Sequence, residues 1–168
     1  GLRTYFLAYS PLKRSLSGMP SAMWSAGSGK FGTKLRHLDI DELVFTGRCA
    51  GPTLLHIHRT EENGPTVIDF VDASDLVGLL VNDTIQRPHQ QYAHAHLPVI
   101  RPPGETYQTV RYAACPLPPE NQLKSGDPKA RYCGRGGMGS MLGSKNILAI
   151  VADTPDRRGG KQPSALKT

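Results

Sequence analysis

Apolar positions in this chain fall in short runs of four to seven, separated by turn residues, and the pattern predicts many short strands. Arg3–Tyr9 (RTYFLAY) reads as a strand that Ser10-Pro11-Leu12 ends. Ser15–Gly29 reads as a small-residue loop, with Trp24 and two Met side chains as packing anchors. Phe31–Leu38 spaces Phe31, Leu35 and Leu38 by four and three, which predicts a short helix. Glu42–Thr46 reads as a strand closed by Gly47. Leu54–His58 and Thr66–Val71 flank a Glu-Glu-Asn-Gly turn and read as a hairpin. A turn or short helix is expected from Asp72 to Leu76, and Asn82-Asp83-Thr84 is a capping signal for another. The polar, His-rich stretch Gln86–Ala95 reads as loop, as does Pro116–Lys129. Strands are expected at Pro98–Ile100 and Val110–Ala114, and Ile147–Ala152 (ILAIVA) as a buried strand. No internal repeat is visible.

The pattern favours short strands joined by many turns, and the fold class expected is mainly β (α+β), with a few short helices. A flexible tail or linker is expected over 153–168. With 18 Gly and 14 Pro in 168 residues, helical bundles and coiled coils are excluded. No apolar run approaches the roughly 20 residues of a membrane helix, so no membrane partner is expected. Gly1 leads straight into apolar sequence, as expected of an internal cut or a dependent subunit. Three dispersed cysteines, Cys49, Cys115 and Cys133, fit neither a disulfide framework nor a metal knuckle. Reduced thiols in a cytoplasmic protein are the expectation, with a reactive Cys133 thiolate in its basic loop as the alternative.

The formal charge of +6 is uneven. Arg3, Lys13, Arg14, Lys30, Lys34 and Arg36 face no acid before residue 37. A second basic stretch holds Lys124, Lys129, Arg131, Arg135 and Lys145 against Asp127 alone. Two such stretches, both glycine-rich, can converge on one anionic ligand. A solvated basic face is the plain alternative. Nucleic acid is not the expected partner, because stacking aromatics are few and no nucleic-acid motif is present.

Ala26–Thr33 (AGSGKFGT) is not a phosphate loop: Phe31 stands where magnesium needs Ser or Thr, and Trp24 where the first Gly belongs. Gly134, Gly136 and Gly139 satisfy GxGxxG, but the polar stretch Lys124–Tyr132 precedes them instead of a strand. The backbone amides of that loop, beside Arg131, Arg135 and Lys145, would still suit an anion. His56/His58 and His94/His96 are HxH pairs whose rings share a strand face. Without a third ligand at a recognisable spacing they are expected as surface or packing histidines. No nucleophile elbow appears, and Glu105 in PPGE is expected only as a hydrogen-bond acceptor.

The run from Arg131 to Lys145 (RYCGRGGMGSMLGSK) resembles the aldehyde ferredoxin oxidoreductase family, which reads R-x-x-G-R-G/P-G-x-G-A-V-M-G-S-K before a strand like Ile147–Ala152. Tyr9-Ser10-Pro11-Leu12 is similar to that family's K-S-P-L turn. Phe31–Arg36, Asp41–Val44 and Gly47-Arg48 are similar to its FGPELK…YDAIVIEGK run. Pro103-Gly104-Glu105 with Val110–Ala113 is similar to its AGEN…VRYA.

The resemblance implies the pterin-binding N-terminal domain of an enzyme that oxidises aldehydes, or runs related low-potential reductions, on tungsten or molybdenum held by two pterins. It also implies a two-layer β domain with a few short helices over residues 1–152. On that basis the cofactor-binding residues are Arg3, Gly29, Lys30, Phe31, Gly32, Arg131, Tyr132, Gly134, Arg135, Gly136, Gly137 and Gly139. The Tyr132 backbone would meet a magnesium ion bridging the pterin phosphates. The family's opening glycine-rich segment and its helical domains are absent, His37-Leu38-Asp39-Ile40 replaces an A-G-Y turn, and no catalytic residue is identified. No iron–sulfur cluster is expected on this chain. A partner chain or further domains would carry the cluster, ferredoxin would be reached indirectly, and an oligomer is expected. A non-catalytic relative acting as a binding or scaffold protein is the alternative.

Overall fold

The computed structural model describes residues 3–62, 64–100, 102–127 and 129–156; the rest of the expected tail, from residue 157, lies outside them. The domain is α+β, as expected, and its strands among the described residues form three small sheets. β1 (Arg3–Arg14) and β2 (Pro20–Ser28) form an antiparallel hairpin. The central sheet runs β4-β3-β8-β5, from β3 (Thr53–Arg59), β4 (Thr66–Asp72), β5 (Ala95–His96) and β8 (Ile147–Asp153). β3 pairs antiparallel with β4 and parallel with β8. β6 (Cys115–Leu117) and β7 (Arg131–Cys133) make the third pair.

Strand β8 is paired on both edges, by β3 and β5, the helices Phe31–His37 and Met138–Ser144 pack on it, and Ile147–Ala152 is wholly buried. Leu54, Leu55 and Ile57 of β3, Leu97, Val99 and Ile100, and Phe31, Leu35 and Leu38 complete the same core. Each large side chain fully buried there contributes about 1.5–3 kcal/mol. Helix α1 (Phe31–His37) lays Phe31 and Leu35 on that core, as their spacing implies. Helices α3 (Pro102–Glu105) and α5 (Met138–Ser144) pack on each other.

Several expectations are corrected. Ser15–Gly29 is not a loop, because most of it is β2, paired to β1 from Ser28 back to Ala22. Of the expected anchors, Trp24 and Met19 are exposed, whereas Met23 is half-buried against Gly136. Ser10-Pro11-Leu12 does not end β1 but interrupts its register, which breaks after Tyr9 and resumes at Arg14. There the Ser10 hydroxyl accepts from the Leu12 and Lys13 amides. Glu42–Thr46 pairs with no strand. Gln86–Ala95 is mostly the end of helix α2 (Val81–Gln91), whose inward stripe is only Thr84, Ile85 and Pro88. Its cap is Leu80, without a side-chain bond, so Asn82-Asp83-Thr84 lies inside the helix. The 116–129 stretch includes helix α4 (Glu120–Ser125). Pro98–Ile100 contributes one isolated bridge, Val99 to Ala149, and Val110–Ala114 none. A 3₁₀ turn at Ser74–Leu76 and the β3–β4 hairpin stand where expected.

Candidate functional site

Alternation along β1 places Arg3, Tyr5, Leu7 and Tyr9 outward, opposite Ser28, Ala26, Trp24 and Ala22 of β2. Tyr5, Leu7, Tyr9 and Trp24 are all more than half exposed, and the Tyr5 and Trp24 rings meet at 5.8 Å. None of these outward positions bears a carboxylate. The inward side is small or polar at Ser25 and Gly27, so β7 can approach closely; a Cβ on Gly27 would meet Cys133 Sγ at 2.7 Å. That approach brings the two basic stretches together. Arg131 of β7 donates from Nη1 to Ser28 Oγ at 2.7 Å, at the cationic end of the outward face. The Arg135 amide donates to Ser25 Oγ at 3.1 Å. Gly32 sits beneath Arg3, its Cα direction 3.7 Å from the Arg3 carbonyl when extended by a Cβ.

Arg3, Ser28 and Arg131 therefore share one ridge, with Gly29 next in the chain, Gly32 beneath Arg3 and the exposed Tyr132 ring following Arg131. Gly134 is half-buried beyond Cys133. The Gly134 carbonyl accepts from the Tyr112 hydroxyl. Other residues of the expected set are placed differently. Phe31 is turned into the core at 2% exposure. Gly136, Gly137 and Gly139 are buried. Gly137 begins α5 at φ 70, where a side chain would be strained. Gly139 is pressed on the 113–114 backbone: its amide donates to the Ala113 carbonyl at 2.9 Å, and a Cβ would meet the Ala114 carbonyl at 2.6 Å. That amide is spent on protein, so the Gly139 backbone is not a donor to a ligand; the exposed guanidinium groups of Arg3 and Arg131 and the Ser28 hydroxyl stand at the surface of the ridge.

Lys30 is drawn below the ridge into an ionic cluster. Its ammonium lies 2.9 Å from both Glu120 and Asp156, and Lys34, nearly fully buried, lies 2.9 Å from Asp156. Lys34 also donates to the Thr154 carbonyl. Hydrogen bonds to Lys124 and Lys30 hold the Glu120 carboxyl down at about 2, and those to Lys34 and Lys30 hold Asp156 lower still. His96 of β5 is buried beside this cluster; burial, then Lys34 and Lys30, push its imidazole down to about 4. Strand β8 and the residues after it are thus fastened as far as Asp156.

The alternative of a reactive Cys133 is overturned. Cys133 is fully buried, and burial pushes its thiol up to about 11. Its cross-strand partner Cys115 is raised well above the ordinary thiol range by burial and by Cys133 itself. Glu105 does act as an acceptor, taking the Gly78 amide at 2.9 Å. A groove of about 770 Å3 runs behind the hairpin, lined by Phe6, Leu35, Ile40, Phe45 and Met141, and it shares Arg3, Phe31 and Gly32 with the expected set. Sequence reasoning missed Ser25, Ser28, Tyr5 and Trp24. The alternation of RTYFLAY carried the signal for Tyr5; nothing in PSAMWSAGS signalled the rest.

Among known proteins, the family described as aldehyde ferredoxin oxidoreductase, N-terminal domain, matches residues 1–154. The chain is 34% identical over 132 residues to the tungsten-containing aldehyde ferredoxin oxidoreductase of Pyrococcus abyssi, covering 77% of this chain and 19% of that protein. It is 33% identical over the same length to that of Pyrococcus horikoshii, with the same coverage. The fold is similar to that in the solved active site complex BamBC of benzoyl coenzyme A reductase in complex with 1,5-dienoyl-CoA. That match has a TM-score of 0.64 at 21% identity, over 80% of this chain and 18% of the other. The chain thus spans about a fifth of the length of these relatives. No helix among the described residues is long and apolar enough to cross a membrane. The chain belongs to the aldehyde ferredoxin oxidoreductase family and corresponds to its N-terminal domain.

Proposed function

We propose that this domain is the cofactor bed of a tungsten or molybdenum oxidoreductase acting on aldehydes or related low-potential substrates, completed by domains or a partner chain outside this sequence. One observation carries the reading: Arg3, Ser28 and Arg131, from opposite ends of the chain, meet at the end of an exposed aromatic face that bears no carboxylate. The donor set fits a flat heteroaromatic ring with a phosphate tail. Tyr5 and Trp24 offer apolar ring surface, and exposed guanidinium forks suit phosphate oxygens bidentately. Magnesium bridging two phosphates would sit near the Tyr132 backbone. When bound, the metal–pterin group supplies the redox chemistry; this chain's residues bind and orient it.

A charge-assisted hydrogen bond contributes on the order of 1.5–3 kcal/mol, so losing one guanidinium weakens phosphate binding roughly tenfold or more. The test is the chain purified anaerobically with its native partners, assayed for tungsten, molybdenum and pterin. Stoichiometric metal and pterin are expected, with Arg131→Gln and Arg3→Gln retaining less of both while melting as the parent does. Normal retention in the double variant would overturn the assignment of the ridge. Neither metal nor pterin in the native complex would favour the non-catalytic scaffold reading.

A further inference from the structure

The two histidines His56 and His58 sit on the same face of β3, and Asp69 of β4 stands directly opposite His56 in the ladder. One ligand atom from each of the three lies within 4.8 Å of the others. The imidazoles are stacked, with centroids 4.3 Å apart and planes 12° apart, and Tyr92 stacks on the far side of His56 at 4.1 Å. His58 Nδ1 faces the Arg59 carbonyl at 3.0 Å, which directs Nε2 at Asp69 Oδ2, 2.8 Å away. From the next strand, Asp153 Oδ2 reaches His56 Nε2 at 3.1 Å. The third ligand lacking in the sequence spacing is thus supplied across the sheet.

We propose that His56, His58 and Asp69 form a binding site for a divalent transition ion of borderline softness, zinc or its analogues cobalt and nickel. Two imidazoles and a carboxylate are the ligand types such ions prefer, with water left to fill the fourth position. The ion takes the place of the proton between His58 Nε2 and Asp69, and their separation opens to about 3.3 Å for tetrahedral bonds near 2.0–2.1 Å. The exposed Asp69 side chain has room for that movement. The Arg59 carbonyl holds the His58 ring, as a ligating imidazole's other nitrogen requires. Asp153 adds a second negative charge, so the dication is neutralised without help from solvent.

The test titrates the untagged chain with cobalt(II), then displaces it with zinc(II). Expected are one equivalent of cobalt with the visible d–d bands of a tetrahedral site, loss of those bands on adding zinc, and a melting temperature that rises with zinc. Asp69→Asn changes an exposed residue and keeps the fold; it should weaken binding at least tenfold, and His58→Gln should abolish it. Cys49→Ser should leave the titration as it was. Absent d–d bands, or bands of parental strength in Asp69→Asn, overturn the proposal and leave a His–Asp ion-pair ladder. Should His58→Gln fold poorly, the Asp69→Asn titration decides alone.

Discussion

Gly143 of α5 lies against the Gly104 carbonyl so closely that a methyl group on Gly143 would overlap that oxygen. The two glycines let α3 and α5 touch backbone to backbone, and α5 also packs against β1 and β8. Gly143→Ala is expected to lower stability by about 2–3 kcal/mol through overpacking. Gly134→Ala meets nothing closer than the Tyr112 hydroxyl at 3.8 Å, and should cost under about 0.5 kcal/mol. Urea unfolding of both variants checks the difference; equal losses would mean that the glycine-rich run acts as one rigid unit.

Lys34 is buried, and its carboxylate partner Asp156 is half exposed. Asp156→Asn strands the buried ammonium on the Thr154 carbonyl, and is expected to destabilise by about 1–2 kcal/mol after allowance for solvent screening. Lys34→Met removes the charge with its desolvation penalty and should cost less. Thermal melts of the two variants read the order, and the reverse order would show that the pair is net stabilising.

The depressed His96 imidazole makes stability fall on acidification. In the unfolded chain it titrates near its ordinary 6.5, in the fold at about 4, so between those values the unfolded state binds the extra proton. The groups facing it are Lys34 and Lys30, which depress it, and Glu120 and Asp156, which oppose them. From pH 6.5 to 4.5 the unfolding free energy should drop by about 1–3 kcal/mol. His89, lowered by burial, acts the same way. His58 acts oppositely: its burial is outweighed by its bonds to Asp69 and the Arg59 carbonyl, so its contribution is lost as pH rises. Glu120 and Asp156 add their losses only at lower pH, where carboxylates protonate. Denaturant melts across this range should flatten in His96→Gln, and an unchanged slope would assign the transition to other groups.

Thiol chemistry should divide the cysteines two to one. Cys115 and Cys133 are fully buried with raised thiols, whereas Cys49 is half-buried. A disulfide reagent should label one thiol per native chain quickly and three in denaturant, with Cys49→Ser removing the fast phase. Fast labelling of Cys133 would contradict its burial.

Legibility in the sequence followed what each element buries. β3 and β8 put Leu54, Leu55, Ile57 and Ile147–Ala152 inside, so their apolar runs announced them. β2 was illegible because pairing with β1 defines it: beside Met23 its inward residues are only Ser25 and Gly27, and its one large ring faces out. Helix α2 buries a stripe too narrow to stand out among Gln, His and Arg. At the ridge, the uneven charge pointed to two basic stretches, and Arg131 of the second does bond Ser28, the register partner of Arg3 in the first. Gly139, one of the glycines read as anion donors, is a close-packing residue whose amide bonds the Ala113 carbonyl, because a sequence does not say which carbonyl an amide will find. Asp69 was invisible beside His56 and His58 for a related reason: it lies 11 residues from His58 and touches it only through the strand register.

Strand β8, the last strand of the described chain, occupies the middle of the central sheet, between β3 and β5. A chain emerging from the ribosome therefore makes β3 some ninety residues before its permanent neighbour exists. Until residue 153 clears the exit tunnel, β3 presents an open edge, and the central sheet cannot close although the β1–β2 and β3–β4 hairpins are already synthesised. At translation speeds of about 5–20 residues per second, that interval lasts seconds. Premature termination anywhere before β8 should leave an aggregation-prone product rather than a smaller folded one, and a synonymous change that slows decoding between β5 and β8 would lengthen the exposure without altering any residue.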